Sequence, residues 1–186
     1  MDNYATISKQ LFKINSQIRD YDVIYGKLEK YSSEPVYTEL TDSLKKRRAV
    51  KLRKARNIAL SLRKLTLPKI NDDDIPDKKL QQTFNKVVSK FSDRIELNLP
   101  VQNISKTRQL QEMRKDCKKL RYILELLPNQ SNEIAKTITE LEEMQDMLGS
   151  IHDDDIMIAY LKRIKRHKST IRHILDEEIA GRNKKL

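Results

Sequence analysis

Turn-forming residues are scarce in this chain, and their scarcity limits the folds that it can adopt. The 186 residues include three Gly and five Pro, which is about a third of ordinary usage. Folds built from many short strands need frequent turns, and collagen-like or Gly/Pro-rich chains need these two residues in abundance. The sequence therefore excludes those classes and favours a small number of long helices.

Apolar residues recur at helical spacing along most of the chain. The most regular stripe advances by alternating steps of three and four, as in a helix that packs along a seam on its neighbour. It consists of Leu110, Met113, Cys117, Leu120, Leu124 and Leu127. The same periodicity predicts six or seven helices, interrupted at Asn15–Ser16 and at Gly149–Ser150. We expect an all-α protein of long-helix bundles.

A polar segment divides the predicted helices into two groups. Residues 67–76 contain Pro68, Asn71 and three consecutive aspartates, a composition typical of a connection. The aspartates lack the Gly and the distal Glu of a calcium-binding hand, so they are interpreted as a linker and helix cap. We predict a shortened first helical half at residues 1–66 and a second helical half at residues 77–186.

The two halves share a short repeat. Residues 18–24 align with residues 151–157 at a constant offset, which predicts two approximately symmetric halves. Each copy follows a predicted break, so its aspartates would lie in a first helical turn, where free N–H groups favour them. These aspartates are Asp20, Asp22, Asp153 and Asp155. They either cap their helices or orient arginine side chains such as Arg121.

Positive charge is concentrated on two of the predicted helices. The net charge is +11, which favours polyanionic partners such as nucleic acid, acidic membrane or polyphosphate. One helix carries Arg114, Lys118 and Arg121 in a line, flanked by Lys115 and Lys119, and the other carries Arg47, Arg48, Lys51 and Lys54. Like charges at these spacings repel one another by several tenths of a kcal/mol per pair. The pattern indicates an anion-binding surface or, alternatively, a solvated basic face.

Two longer motifs occur in the second half of the chain. Residues 113–126 follow the pattern MRKxxKxLRYxLEL, and residues 144–155 follow MQxxLGxIHDxD. Together they resemble the C-terminal signature of the CHAD family, the conserved-histidine α-helical domains. The Arg-Asp-x-Asp of residues 19–22 resembles the equivalent element of the family's first half. The chain departs from the family in two places. Nothing before Ile7 resembles the usual first helix with its histidine, and the second signature histidine falls at Gln111.

The resemblance implies a non-catalytic module that binds inorganic polyphosphate. Family members fold as two helical bundles with basic residues lining a surface between them, and some associate with polyphosphate granules. The motif at residues 113–126 implies that Arg114, Lys118 and Arg121 bind the ligand, with Lys115 and Lys119 beside them. Arg47, Arg48, Lys51 and Lys54 join them by charge and spacing only. Supporting roles fall to Arg19, Asp20, Asp22, His152, Asp153 and Asp155.

An enzymatic function is not favoured. His152 and Asp153 resemble the paired ligand of HD-type metal phosphohydrolases, but the remaining histidines, His167 and His173, both lie in a basic terminal helix. Cys117 belongs to the apolar stripe and is expected in the core. No strand of the Glu-x-Glu-x-Lys type, which marks the triphosphate-tunnel enzymes sometimes fused to these domains, occurs in the sequence. We therefore expect no catalytic residue, no metal and no cofactor.

A helical nucleic-acid-binding protein is the main alternative, because the same basic surface would serve it. Aromatic residues make up 5% of the chain, without Trp, and they are not interleaved with the basic clusters as stacking platforms require. A membrane-binding function fits less well, because the basic helices lack an aromatic-rich apolar face. The sequence has no apolar run of about 18 residues and no signal peptide, so a cytoplasmic protein is expected.

Overall fold

A computed structural model describes residues 2–66, 76–99, 107–128, 130–164 and 168–186, and every regular element in these ranges is helical. The prediction of an all-α fold is confirmed. The helices are α1 (Asp2–Leu28), α2 (Tyr37–Arg63), α3 (Asp77–Asn98), α4 (Thr107–Glu125), α5 (Asn132–Arg163) and α6 (Lys168–Asn183), with a 3-10 helix at Glu29–Tyr31.

The chain forms two compact units. Unit 1 comprises Met1–Ile70 and Asp153–Gly181, and unit 2 comprises Asn71–His152 and Arg182–Leu186. This grouping differs from the sequence-based division, which assigned residues 77–186 to one half. Apolar side chains that follow His152 are buried in one core with those of α1 and α2. The end of α5 and α6 therefore belong to unit 1. The predicted connection at residues 67–76 lies outside the described residues, except for Pro76.

Unit 1 has a large core and a small one. The small core is formed by Ile14, Ile18 and Ala55. The large core combines α1, α2, the end of α5 and α6, and its buried residues are Ile24, Leu28, Tyr31, Val36, Leu40, Leu44, Met157, Leu161, Ile171 and Ile174. Each buried aliphatic side chain of this size contributes about 1.5–3 kcal/mol, so these contacts hold the four helices together.

Unit 2 is organised around the apolar stripe of α4. Five of the six stripe residues are buried, and Leu127 packs against them at the edge. Cys117 is fully buried, as predicted from its place in the stripe. Ile95 of α3 and the α5 residues Leu141, Leu148 and Ile151 complete this core.

The two predicted helix breaks are wrong. Helix α1 continues through Asn15 and Ser16, and α5 continues through Gly149 and Ser150. A glycine inside a helix costs about 1 kcal/mol relative to alanine. Leu148 is buried beside the glycine, and burial of one such side chain exceeds that cost. Packing therefore outweighs the local preference.

Because α1 and α5 are continuous, the repeat aspartates do not lie at helix N-termini. Asp20, Asp22, Asp153 and Asp155 all lie in helix interiors. Backbone N–H groups in a helix interior already donate to the preceding turn, so they have no free donor for a cap. The prediction that these aspartates cap helices is therefore wrong, and what they do is decided by their side-chain contacts.

Candidate functional site

The two lysines that flank the cationic line of α4 have carboxylate partners on the same helix. Lys115 Nζ donates to Glu112 Oε1 at 2.9 Å, and this hydrogen bond holds the pKa of Glu112 below its usual value. Lys119 Nζ lies 3.8 Å from Asp116 Oδ1. Both positive charges are thus locally compensated.

Arg121 is likewise occupied by carboxylates. Its Nη1 lies 3.0 Å from Glu125 Oε1 and 3.4 Å from Glu142 Oε1, and 18% of its side chain is exposed. The guanidinium carbon lies 4.9 Å from the centre of the Tyr122 ring. Two glutamates on α4 and α5 therefore orient Arg121, a role that the sequence analysis had offered to the aspartates of the repeat.

Arg114 and Lys118 differ from these neighbours. They lie one turn apart on α4, and neither forms an ion pair with a residue in the described part of the chain. Arg114 extends towards α5, where a Cβ added to Gly149 would lie 3.7 Å from its Nε. Lys118 Nζ lies 5.4 Å from the centre of the Tyr122 ring. In unit 2 these two cations remain available to an anion.

Gln111, at the position where the resemblance had led us to expect a histidine, has a clear structural role. Gln111 Nε2 lies 3.0 Å from Nδ1 of His152, within hydrogen-bond distance. The glutamine thus links α4 to the α5 residue of the HDxD motif, one turn before Arg114. His152 is partly buried and takes part in this link inside unit 2.

Unit 2 also contains a buried carboxylate that the sequence analysis missed. Asp116 is fully buried, and its Oδ2 lies 2.9 Å from Arg94 Nη2 of α3. Among the described residues, neither of its oxygens has a partner with hydrogen-bond geometry. The only sequence signal was its place three residues after Met113, on the buried side of the helix.

In unit 1, one predicted anion ligand is used internally. Arg48 donates hydrogen bonds from Nε to Asp22 Oδ1 and from Nη2 to Asp22 Oδ2, the second at 3.3 Å. This contact agrees with the hypothesis that repeat aspartates orient arginines. Lys54 and Arg19 are exposed, whereas Asp153 and Asp155 are partly buried in α5.

The remaining predicted cations of α2 line a cavity of about 700 Å³ in unit 1. Arg47 and Lys51 are joined there by Arg163, which comes from the end of α5. The sequence analysis did not select Arg163, because more than a hundred residues separate it from Arg47 and Lys51. Two carboxylates, Asp20 and Glu39, also line the cavity, each with an interaction of its own.

The wall of this cavity includes a fixed tyrosine. Tyr160 Oη donates to the carbonyl oxygen of Leu40 at 3.4 Å. Burial raises the pKa of the Tyr160 hydroxyl, and the nearby charge of Arg47 opposes that effect. The hydroxyl is therefore protonated at neutral pH, and its hydrogen bond connects α5 to α2.

A second polar cluster in unit 1 is buried and internally paired. Asp154 and Glu178 are almost fully buried, and both contact the ammonium of Lys27. Glu178 also receives Lys30 Nζ at 2.6 Å and the Tyr31 hydroxyl at 3.0 Å. These bonds satisfy the carboxylates where water is excluded, so the cluster has a structural role.

The described elements are all helical and the chain carries a net charge of +11, which defines this molecule as a strongly basic all-α protein. A family model described as CHAD domain matches residues 3–162, and the chain belongs to the CHAD family. No curated protein and no solved structure matches it. CHAD domains are associated in general with polyphosphate binding, and the family is generally non-catalytic.

Two further features bear on the class of function. Across the described ranges, no helix is long and apolar enough to pass through a membrane. The same residues contain no group of three or more His, Cys, Asp or Glu that could hold a metal ion.

Proposed function

We propose that this protein binds inorganic polyphosphate without chemically changing it, and that Arg114 and Lys118 are its principal ligands in unit 2. One observation carries the proposal. These two cations lie side by side on α4 without a carboxylate partner in the described chain, while Lys115, Lys119 and Arg121 around them are paired. A polyanion can approach this pair without first breaking an ion pair.

The chemistry of the two side chains suits a chain of phosphates. A guanidinium offers a planar fork of donors, and an ammonium acts as a point charge, so together they bind phosphate oxygens without reading a base. Residues four apart on a helix are neighbours, with about 5–6 Å between their Cβ atoms. Arg114 and Lys118 can therefore contact successive parts of one linear anion.

The remaining predicted basic residues contribute through their charge. Lys115, Lys119 and Arg121 each have an acidic partner, but α4 as a whole carries six Lys and Arg against three Asp and Glu, which keeps the potential along this helix positive. Arg47, Arg48, Lys51 and Lys54 form the corresponding basic cluster of α2 in unit 1. Arg48, held by Asp22, contributes least to it. Such a protein would be expected on cytoplasmic polyphosphate granules.

The test is a titration with polyphosphate of defined length at two salt concentrations. The double variant Arg114→Gln/Lys118→Gln should bind at least about a hundredfold more weakly, because it removes two charged partners whose hydrogen bonds contribute about 1.5–3 kcal/mol each. The slope of log affinity against log salt should fall by about 1.4, by analogy with single-stranded nucleic acids.

A matched control separates this site from net charge. Lys86 and Lys90 are exposed on α3 of the same unit, also four residues apart. The variant Lys86→Gln/Lys90→Gln removes the same charge and should bind almost as the parent does. Equal losses in the two double variants would mean that charge alone, without a site, attracts the polyanion.

Competition distinguishes polyphosphate from nucleic acid. Single-stranded and duplex DNA should displace labelled polyphosphate poorly at equal phosphate concentration. The one aromatic ring of α4, that of Tyr122, is already in contact with Lys118 and Arg121, so α4 offers no series of stacking platforms for bases. Displacement by DNA at the same phosphate concentration would favour the alternative function, a helical nucleic-acid-binding protein.

A further inference from the structure

The cavity of unit 1 has walls that inorganic polyphosphate would not use. Several of its lining residues are apolar and come from three helices: Ile24, Leu40, Ile156 and Ala159. Two aromatic side chains, Tyr21 and Tyr160, lie beside them. Small-molecule sites are typically cavities of about 300–1,000 Å³, mostly apolar with a few converging polar groups. The volume of about 700 Å³ falls in that range.

The charges of the cavity favour a compact anion. Arg47, Lys51 and Arg163 supply three positive charges, and Asp20 and Glu39 supply two carboxylates. A long polyanion in this cavity would bring several negative charges near the two carboxylates, and it would cover the apolar wall without making apolar contacts. A single phosphate group can contact the cations while the rest of the ligand occupies the apolar part.

We infer that this cavity is a binding site for a small organic phosphate, namely one phosphate group attached to a flat, apolar body. Arg47 and Lys51 lie one turn apart on α2 and face the same cavity as Arg163 of α5, so the phosphate is held from two helices. The body lies against Tyr160, whose ring is fixed by the hydrogen bond from its hydroxyl to Leu40. This inference goes beyond the polyphosphate binding proposed for unit 2.

The probe for this site is 1-naphthyl phosphate, whose intrinsic fluorescence reports binding directly. The parent protein should bind it more tightly than it binds inorganic phosphate, because only the aryl ester buries apolar surface against the wall. Arg163→Gln should weaken the binding of both compounds. It removes one of three cations, and because Arg163 is exposed it should leave the fold intact.

Filling the cavity without changing its charge tests the apolar part. Ala159 lines the cavity and is exposed, so Ala159→Leu adds volume there without disturbing a core. This variant should bind naphthyl phosphate about tenfold more weakly, since overfilling a matched apolar space carries a penalty of that order. The control Ala59→Leu, at an exposed position of α2 outside the cavity, should bind as the parent does.

Two results would overturn the inference: naphthyl phosphate binding no more tightly than inorganic phosphate, or Ala159→Leu leaving its affinity unchanged. Neither depends on the polyphosphate proposal, whose test is the Arg114→Gln/Lys118→Gln variant in unit 2. That double variant should retain parent-like affinity for naphthyl phosphate. Thermal melting of each variant establishes that it is folded.

Discussion

Each unit buries an acidic side chain next to surface cations, but the two side chains differ in the hydrogen bonds that they receive. In unit 1, Glu178 receives hydrogen bonds from Lys27 and the Tyr31 hydroxyl, and an ion pair from Lys30. In unit 2, Asp116 contacts Arg94 at 2.9 Å, but without hydrogen-bond geometry among the described residues. Burial alone therefore does not indicate how strongly a carboxylate is held, because the number and alignment of its donors decide that.

The surface cations differ in the same way. On α4 they lie along one helix face, and the two unpaired members are neighbours, which suits an extended anion. In unit 1, Arg47, Lys51 and Arg163 reach one cavity from two helices, which suits a compact anion. A similar excess of Lys and Arg thus supports different ligands, because the arrangement of the charges decides what they can contact.

The largest expected effect is the loss of the fully bonded carboxylate. Glu178→Gln removes the buried charge that Lys27, Lys30 and the Tyr31 hydroxyl contact, and it should lower the free energy of unfolding by about 3 kcal/mol. Asp116→Asn should cost at most about 1 kcal/mol, because Arg94 contacts the carboxylate without hydrogen-bond geometry and no hydrogen bond among the described residues is lost. Denaturant unfolding followed by circular dichroism measures both.

Equal losses of stability in these two variants would contradict the conclusion that hydrogen-bond donors decide how strongly each carboxylate is held. A loss at Asp116 as large as that at Glu178 would mean that its contact with Arg94 is a fully formed buried ion pair.

Alkaline pH should weaken the two units over different ranges. Burial raises the pKa of Tyr31 to about 12 in unit 1 and that of Cys117 to about 11 in unit 2. A raised pKa in the folded state stabilises the fold below the unfolded pKa, and this contribution is lost as pH rises through the folded value. Unit 2 should therefore lose stability between about pH 9 and 11, and unit 1 between about pH 10 and 12.

The variant Tyr31→Phe isolates the contribution of unit 1. The difference in unfolding free energy between the parent and this variant should be constant below pH 10 and should shrink from there to about pH 12. A difference that does not change across this range would show that the tyrosine hydroxyl is not held in its protonated form. Alkylation of Cys117 at pH 8 should be slow in the folded protein and fast in denaturant.

The smallest expected effect is at the helix glycines. Gly149→Ala in unit 2 and Gly26→Ala in unit 1 should each raise the free energy of unfolding by about 0.5–1 kcal/mol. The added Cβ meets Arg114 at an ordinary contact distance of 3.7 Å in the first case and nothing within 4 Å in the second. Thermal denaturation measures both. If only Gly149→Ala lowered the free energy of unfolding, the added methyl group would be displacing the Arg114 side chain.

The repeat shows how far a sequence pattern reaches. Its apolar positions behave alike, because Ile24 and Met157 are both buried in the large core of unit 1. Its polar positions differ between the two copies. Asp154 is buried and forms an ion pair with Lys27, whereas Tyr21 at the matching position lines the cavity. The sequence analysis assigned roles to the four aspartates that the repeat has in common and none to Asp154, which aligns with a tyrosine. An alignment of two segments carries no information about which side chains form contacts in the folded protein.

The sequence by itself determined the helices, the stripe of α4, the burial of Cys117 and the basic clusters. These properties depend on residues three or four positions apart, and helix geometry relates such residues directly. Only the tertiary structure decided that Arg163 joins Arg47 and Lys51, that Glu125 and Glu142 occupy Arg121, and that the end of α5 belongs to unit 1. Those outcomes depend on which helix faces meet, and that is set by burying apolar surface contributed from distant parts of the chain.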